Sequence, residues 1–197
     1  MISAIKKVAE EFLDKTKSKE ILVVSHNDTD GITSAAIMSR TLQRLGKVFS
    51  IKIVKQLDQE FFNTLPLDKI IIFLDLASNS FNYIKKLPTD VFILDHHEIT
   101  DKIPGNVSII NPHLFNEEEL SGAGVTYLFS KQLDHHNVDL AYLAVIGMVG
   151  DMLGTNLAKK YNEIIKESKV IVKKGLTMYP ATRPINKILE YSSDIFI

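Results

Sequence analysis

The stretch Ile21-Leu22-Val23-Val24-Ser25-His26-Asn27-Asp28-Thr29-Asp30-Gly31 decides how the chain is read. Its four apolar residues do not alternate with polar ones, which suits a strand covered on both faces of a parallel sheet. The run then enters a crowd of imidazole and carboxylate groups. Gly31 lets the backbone turn sharply into a helix expected over 31–45, which Gly46 ends. The pattern recurs downstream. Ile70-Ile71-Ile72-Phe73-Leu74 is apolar throughout and ends at Asp75, and Val91-Phe92-Ile93-Leu94 ends at Asp95-His96-His97. An alternating segment at 48–54 and a short apolar one at 107–110 read as two more strands. Helical spacing is expected over 2–16, 57–65, 80–87, 122–135, 139–150 and 158–174. Strands alternating with helices predict an α/β fold, a parallel sheet of roughly five strands with helices on both faces. Ligands of such sheets bind beyond the carboxyl ends of the strands, so all three polar clusters fall on one edge.

Composition narrows the function. The chain has 197 residues, enough for one domain with a full core plus an appendage. A net charge of −1 supplies no global field for nucleic acid, so such a partner needs a local patch or a metal. With no cysteine, disulfides and thiolate chemistry are excluded and metal binding falls to His and carboxylates. No apolar stretch approaches about 18 residues and no signal-peptide core is present, so a cytoplasmic protein without a membrane partner is expected.

A single Asp after a strand ordinarily caps a helix or closes a turn. Three clusters at three strand ends exceed what capping needs, and the first alone brings His26, Asp28 and Asp30. Carboxylates crowded in this way repel unless cations neutralise them. Carboxylate and imidazole ligands suit Mn²⁺ or Mg²⁺ and do not favour a structural zinc. If residues 26–30 stay near-extended, His26, Asp28 and Asp30 point the same way. Asp-His-His occurs a second time, at Asp134-His135-His136, but there it closes a helical run before Asn137. Histidines in a last helical turn complement the helix dipole, so this copy reads as structural.

The ordered set His26-Asn27-Asp28-Thr29-Asp30-Gly31, Asp75, Asp95-His96-His97 and Gly150-Asp151 resembles the four motifs of the DHH phosphoesterase family, in its RecJ-like branch. The resemblance covers residues 20–152 and implies two divalent ions, Mn²⁺ with Mg²⁺ as the alternative, around a bridging hydroxide. One ion would be held by His26, Asp28 and Asp75, and the other by Asp30, Asp75, His96 and Asp151. His97 would face the substrate phosphate, and Asp95 would orient a histidine. Ser121-Gly122-Ala123-Gly124 opens a helix, where Gly122 and Gly124 either admit a phosphate or permit close packing. His113 is either a phosphate contact or a surface residue.

The implied substrate is single-stranded DNA or RNA, attacked by an exonuclease. The alternatives are short oligonucleotides or nucleoside bisphosphates, or a scaffold that joins replication proteins. The catalytic domain is expected over 1–175. Residues 176–197 would connect to a DHH-associated domain absent from the chain, whose apolar end, Ile195-Phe196-Ile197, suggests a fragment.

Overall fold

Five apolar segments pair side by side as parallel strands: β1 (Ile21–His26), β2 (Phe49–Val54), β3 (Ile70–Leu74), β4 (Val91–Leu94) and β5 (Val107–Ile110). Their order across the sheet is β2-β1-β3-β4-β5. The computed structural model describes residues 1–115, 120–151, 159–171, 184 and 186–187. Around the sheet lie α1 (Ile2–Lys15), α2 (Thr29–Arg44), α3 (Gln59–Asn63), α4 (Phe81–Ile84), α5 (Gly122–Leu133), α6 (Ala141–Gly150) and α7 (Lys159–Ser168).

Continuous apolar strands imply two covered faces, and side chains alternate between them. Ile21, Val23, Ile70 and Ile72 join one core with residues of α1, α2, α5, α6 and α7. Leu22, Val24, Ile71 and Phe73 join a second, thinner core under α3 and α4. Phe12 of α1 anchors the larger core edge-to-face, 5.0 Å from Phe92 and 5.6 Å from Phe129 between ring centroids. Such pairs contribute about 0.5–1.5 kcal/mol each beyond the area they bury. β1 pairs with β2 on one side and β3 on the other, so the chain reverses direction across the sheet at β1. A crevice opens at such a reversal, beyond the carboxyl ends of β1 and β3.

Two local expectations are corrected. α2 begins at Thr29 rather than at Gly31, because the Asp28 side chain accepts a hydrogen bond from the Gly31 N–H at 2.8 Å and caps the helix. The extended segment therefore stops at Asp28, and Asp30 belongs to the first helical turn. The second Asp-His-His does close α5, with Asp134 as the capping residue whose N–H donates to the Ser130 carbonyl at 3.1 Å, but its histidines lie beyond the helix rather than in its last turn. The Asp134 side chain also starts a 3₁₀ helix, His135–Leu140, by accepting from the His136 N–H at 2.9 Å. Of the helix expected over 158–174, the described part ends at Ser168, and residues 172–174 lie outside the described set. The connecting segment also lies outside it, except for residues 184, 186 and 187.

Candidate metal centre

His26 ends β1 and Asp28 follows two residues on, their Nδ1 and Oδ2 atoms 2.7 Å apart. Burial pushes the Asp28 pKa up, but the Gly31 N–H and the His26 ring outweigh it and hold it below its ordinary value. Asp75 directly follows β3 and takes a left-handed backbone conformation, φ 59°. Ala77 is also left-handed, at φ 91°. Non-glycine residues so placed cost about 1–3 kcal/mol each and persist where the surroundings enforce them.

The Asp75 side chain is 1% exposed, and neither carboxylate oxygen has a hydrogen-bond partner among the described residues. Oδ2 lies 3.9 Å from His26 Nδ1, and Oδ1 lies 3.2 Å from His96 Nε2. Burial above all, then the charges of Asp30, Asp28 and Asp95, lifts the Asp75 pKa to about 10.

On the far side, His96 Nε2 is 3.4 Å from Asp151 Oδ2 and 3.9 Å from Asp30 Oδ2. Asp151 follows the last residue of α6, and its Oδ2 is also buried without a partner. Burial and the neighbouring Asp30 charge raise its pKa to about 6. Two sets of possible ligand atoms result, His26 with Asp28 and Asp75, and Asp30 with His96 and Asp151; within each, all atoms lie within 4.8 Å of one another. Asp75 offers one oxygen toward each set. Buried anionic oxygens without donors are expensive, and divalent cations at these points remove the expense. The donor set therefore fits a pair of hard cations. Asp75, His96 and His97 also lie within that distance of one another.

Asp95 and His97 form a separate pair. Asp95 is fully buried and accepts from the Ser78 N–H at 2.9 Å, the His96 N–H at 2.8 Å and His97 Nδ1 at 2.7 Å. Burial works upward on its pKa, yet the hydrogen bond and charge of His97 and the hydrogen bonds of Ser78 hold it at about 2. In return, the hydrogen bond to Asp95 raises the His97 pKa against burial. His97 is half exposed, and with His26, Asp75, Lys55, Ser78 and Asn79 it lines a cleft of about 200 Å³.

The amides of the glycine-rich turn are engaged within the protein. The Gly122 and Ala123 N–H groups donate to Asp30, at 2.5 and 2.9 Å, and the Gly124 N–H donates to Ser121 Oγ at 3.1 Å. With these donors engaged, the start of α5 holds a site carboxylate, and its dipole favours that charge. His113 is exposed in the 3₁₀ helix Pro112–Phe115 and is not among the residues lining the cleft. Asp134, His135 and His136 also lie close together, but Asp134 is engaged by the His136 N–H and ring.

Sequence reading missed Lys55 and Asn111. Lys55 directly follows β2, so the strand-end rule that found Asp75 could have found it. Asn111 is fully buried and donates to Ser78 Oγ at 3.0 Å and to the His97 carbonyl at 2.8 Å, joining two loops of the site.

Residues 20–148 match the family model for the DHH family, N-terminal domain. The chain belongs to the DHH family. An uncharacterized protein of Methanocaldococcus jannaschii is 32% identical over 163 residues, covering 77% of this chain and 36% of that protein. The single-stranded-DNA-specific exonuclease RecJ of Bacillus subtilis is 27% identical over 154 residues, covering 70% of this chain and 20% of its own length. A crystal structure of exonuclease RecJ bound to manganese superimposes with a TM-score of 0.73 at 22% identity, covering 84% of this chain and 47% of that one. The DHH domain described here thus corresponds to a minor part of these curated relatives. No helix among the described residues is long and apolar enough to cross a membrane.

Proposed function

We propose that this DHH domain hydrolyses phosphodiester bonds of single-stranded nucleic acid from an end, using two divalent ions, Mn²⁺ or Mg²⁺. The observation that carries the reading is Asp75, buried with both oxygens unpartnered between two sets of imidazole and carboxylate groups. His26, Asp28 and Asp75 would hold one ion, and Asp30, Asp75, His96 and Asp151 the other. Such a pair supplies an activated water at neutral pH and neutralises charge on the phosphoryl group.

The protein's own groups do the remaining work. Asp95 holds the His97 ring through Nδ1 and favours its protonated form. A protonated ring at the cleft wall can donate to a phosphoryl oxygen as charge develops there. Lys55 adds a cation to the same wall, which a chain of net charge −1 needs in order to attract a phosphate. Kinship with RecJ, whose name in Bacillus subtilis states single-stranded-DNA specificity, supports the substrate class.

The test is digestion of end-labelled single strands by the protein with Mn²⁺, with Mg²⁺ and with EDTA. Metal-dependent release of mononucleotides from one end is expected, and Asp75→Ala should lose both activity and metal loading. Cleavage of dinucleotides alone would move the substrate to short oligonucleotides. Metal binding without hydrolysis would favour a scaffold in a replication complex. Metal-dependent hydrolysis retained by Asp75→Ala would remove the bridging assignment.

A further inference from the structure

A helix presents its first backbone N–H groups without internal acceptors, so each must find one elsewhere. At the start of α5, all four have done so, and to different purposes. The Ser121 N–H donates to the Tyr161 hydroxyl of α7, those of Gly122 and Ala123 to Asp30, and that of Gly124 to Ser121 Oγ. Asp30 therefore rests on two amides whose position is set, one residue upstream, by a tyrosine 40 residues farther along the chain. Tyr161 is 1% exposed, and burial raises its pKa, keeping the hydroxyl protonated at neutral pH.

The same turn also meets Asp75. A Cβ on Gly122 would stand 2.6 Å from Asp75 Cβ. A displacement of the turn is thus felt by one carboxylate through hydrogen bonds and by the other through direct contact. α7 is otherwise seated by Ile164, 1% exposed, and by Glu167, which accepts from Tyr127 Oη at 2.5 Å and pairs with Lys131. The Glu167 contacts reach the middle of α5 and not its first turn, and α7 packs along α6 as well.

We propose that Tyr161 is a positioning residue for the metal centre, acting through the Ser121 N–H to fix the turn that carries Asp30 and abuts Asp75. The proposal rests on the two-ion reading and extends it to α7, an element that contributes no ligand. Removing an outer partner of a metal ligand typically lowers metal affinity about 10–100-fold.

The experiment compares Mn²⁺ dissociation constants by titration calorimetry for the wild-type protein, Tyr161→Phe and Glu167→Gln. Tyr161→Phe keeps the ring and removes the acceptor, and it should bind Mn²⁺ about 10–100-fold more weakly. Glu167→Gln loosens α7 away from the turn, and it should lower the melting temperature while keeping wild-type affinity. Equal affinity in Tyr161→Phe and wild type would overturn the proposal, as would an equal loss in both variants. A wild-type protein that binds no Mn²⁺ would instead remove the two-ion reading itself. Hydrogen exchange on the wild-type protein tests the same link without a variant. Saturating Mn²⁺ should slow exchange at the Ser121 amide along with those of Gly122 and Ala123, and an unchanged Ser121 amide would overturn the proposal.

Discussion

Gly122→Ala probes the closest approach in the site. In an ordinary helix, replacing glycine by alanine gains about 0.5–1 kcal/mol. Here the added Cβ would stand 2.6 Å from Asp75 Cβ, 2.7 Å from its Oδ1 and 2.9 Å from its Cγ. Carbon atoms rest about 3.5–4.0 Å apart, so roughly 1 Å of displacement is needed. Neither side yields easily. Asp75 Cβ is bonded directly to a backbone whose N–H donates to the Leu94 carbonyl at 2.9 Å, and the Gly122 N–H is engaged by Asp30 at 2.5 Å. Overpacking of this kind costs about 1–3 kcal/mol, leaving a net loss of up to about 2.5 kcal/mol after the helix gain. Urea unfolding in EDTA should show that loss. Calorimetry should show Mn²⁺ affinity reduced at least about tenfold, because the displaced group is the carboxylate proposed to serve both ions. Gly105→Ala is the control, since nothing lies within 4 Å of a Cβ there. If Gly122→Ala matches the wild-type protein in both stability and affinity, the tight contact does not position Asp75 and the reasoning fails.

Metal-free stability should depend on pH through Asp75. Folded Asp75 keeps its proton up to about 10 and the unfolded chain releases it near 3.8, so the folded state binds more protons between these values. Stability therefore falls as pH rises through that window, by up to about 1.4 kcal/mol per unit, and Asp75→Asn removes this slope. In urea melts with EDTA, the variant should gain on the wild-type protein from pH 5 to pH 8, and parallel curves would refute the assignment. His97→Ala should leave Mn²⁺ affinity near wild type while hydrolysis of a single-stranded substrate falls about 10²–10³-fold; loss of metal binding would instead make His97 a ligand. The double variant His135→Ala/His136→Ala should keep both metal affinity and activity, and a loss of either would contradict the structural role given to the second Asp-His-His.

What was legible in the sequence follows the range of each interaction. β1, β3 and β4 were readable because a strand buried on both faces must be apolar along its whole length, and the polar residue that ends it marks the sheet edge. His26, Asp75 and Asp95-His96-His97 came directly from that rule. Asp28 shows why its neighbours were harder to place. The rule weighed capping against ligation, yet one oxygen of this carboxylate caps α2 while the other meets His26. Capping, the alternative to ligation, is what starts the helix early and carries Asp30 away from the extended line of His26 and Asp28.

Asp30 then depends on amides 92 and 93 residues away, a separation at which local pattern carries no information. Gly122 and Gly124 were visible as glycines, but their reasons were not. Gly122 is forced by the side chain of Asp75, whereas Gly124 has only ordinary contacts with Leu120, Tyr161 and Ser121. Asp151 was available only through the family motif, since an aspartate after a helix is common and only the fold puts its oxygen 3.4 Å from His96. Residues at strand ends are thus announced by the pattern that buries the strand. Residues that complete the site from α5, α6 and α7 are fixed by helix packing, which composition and periodicity leave open.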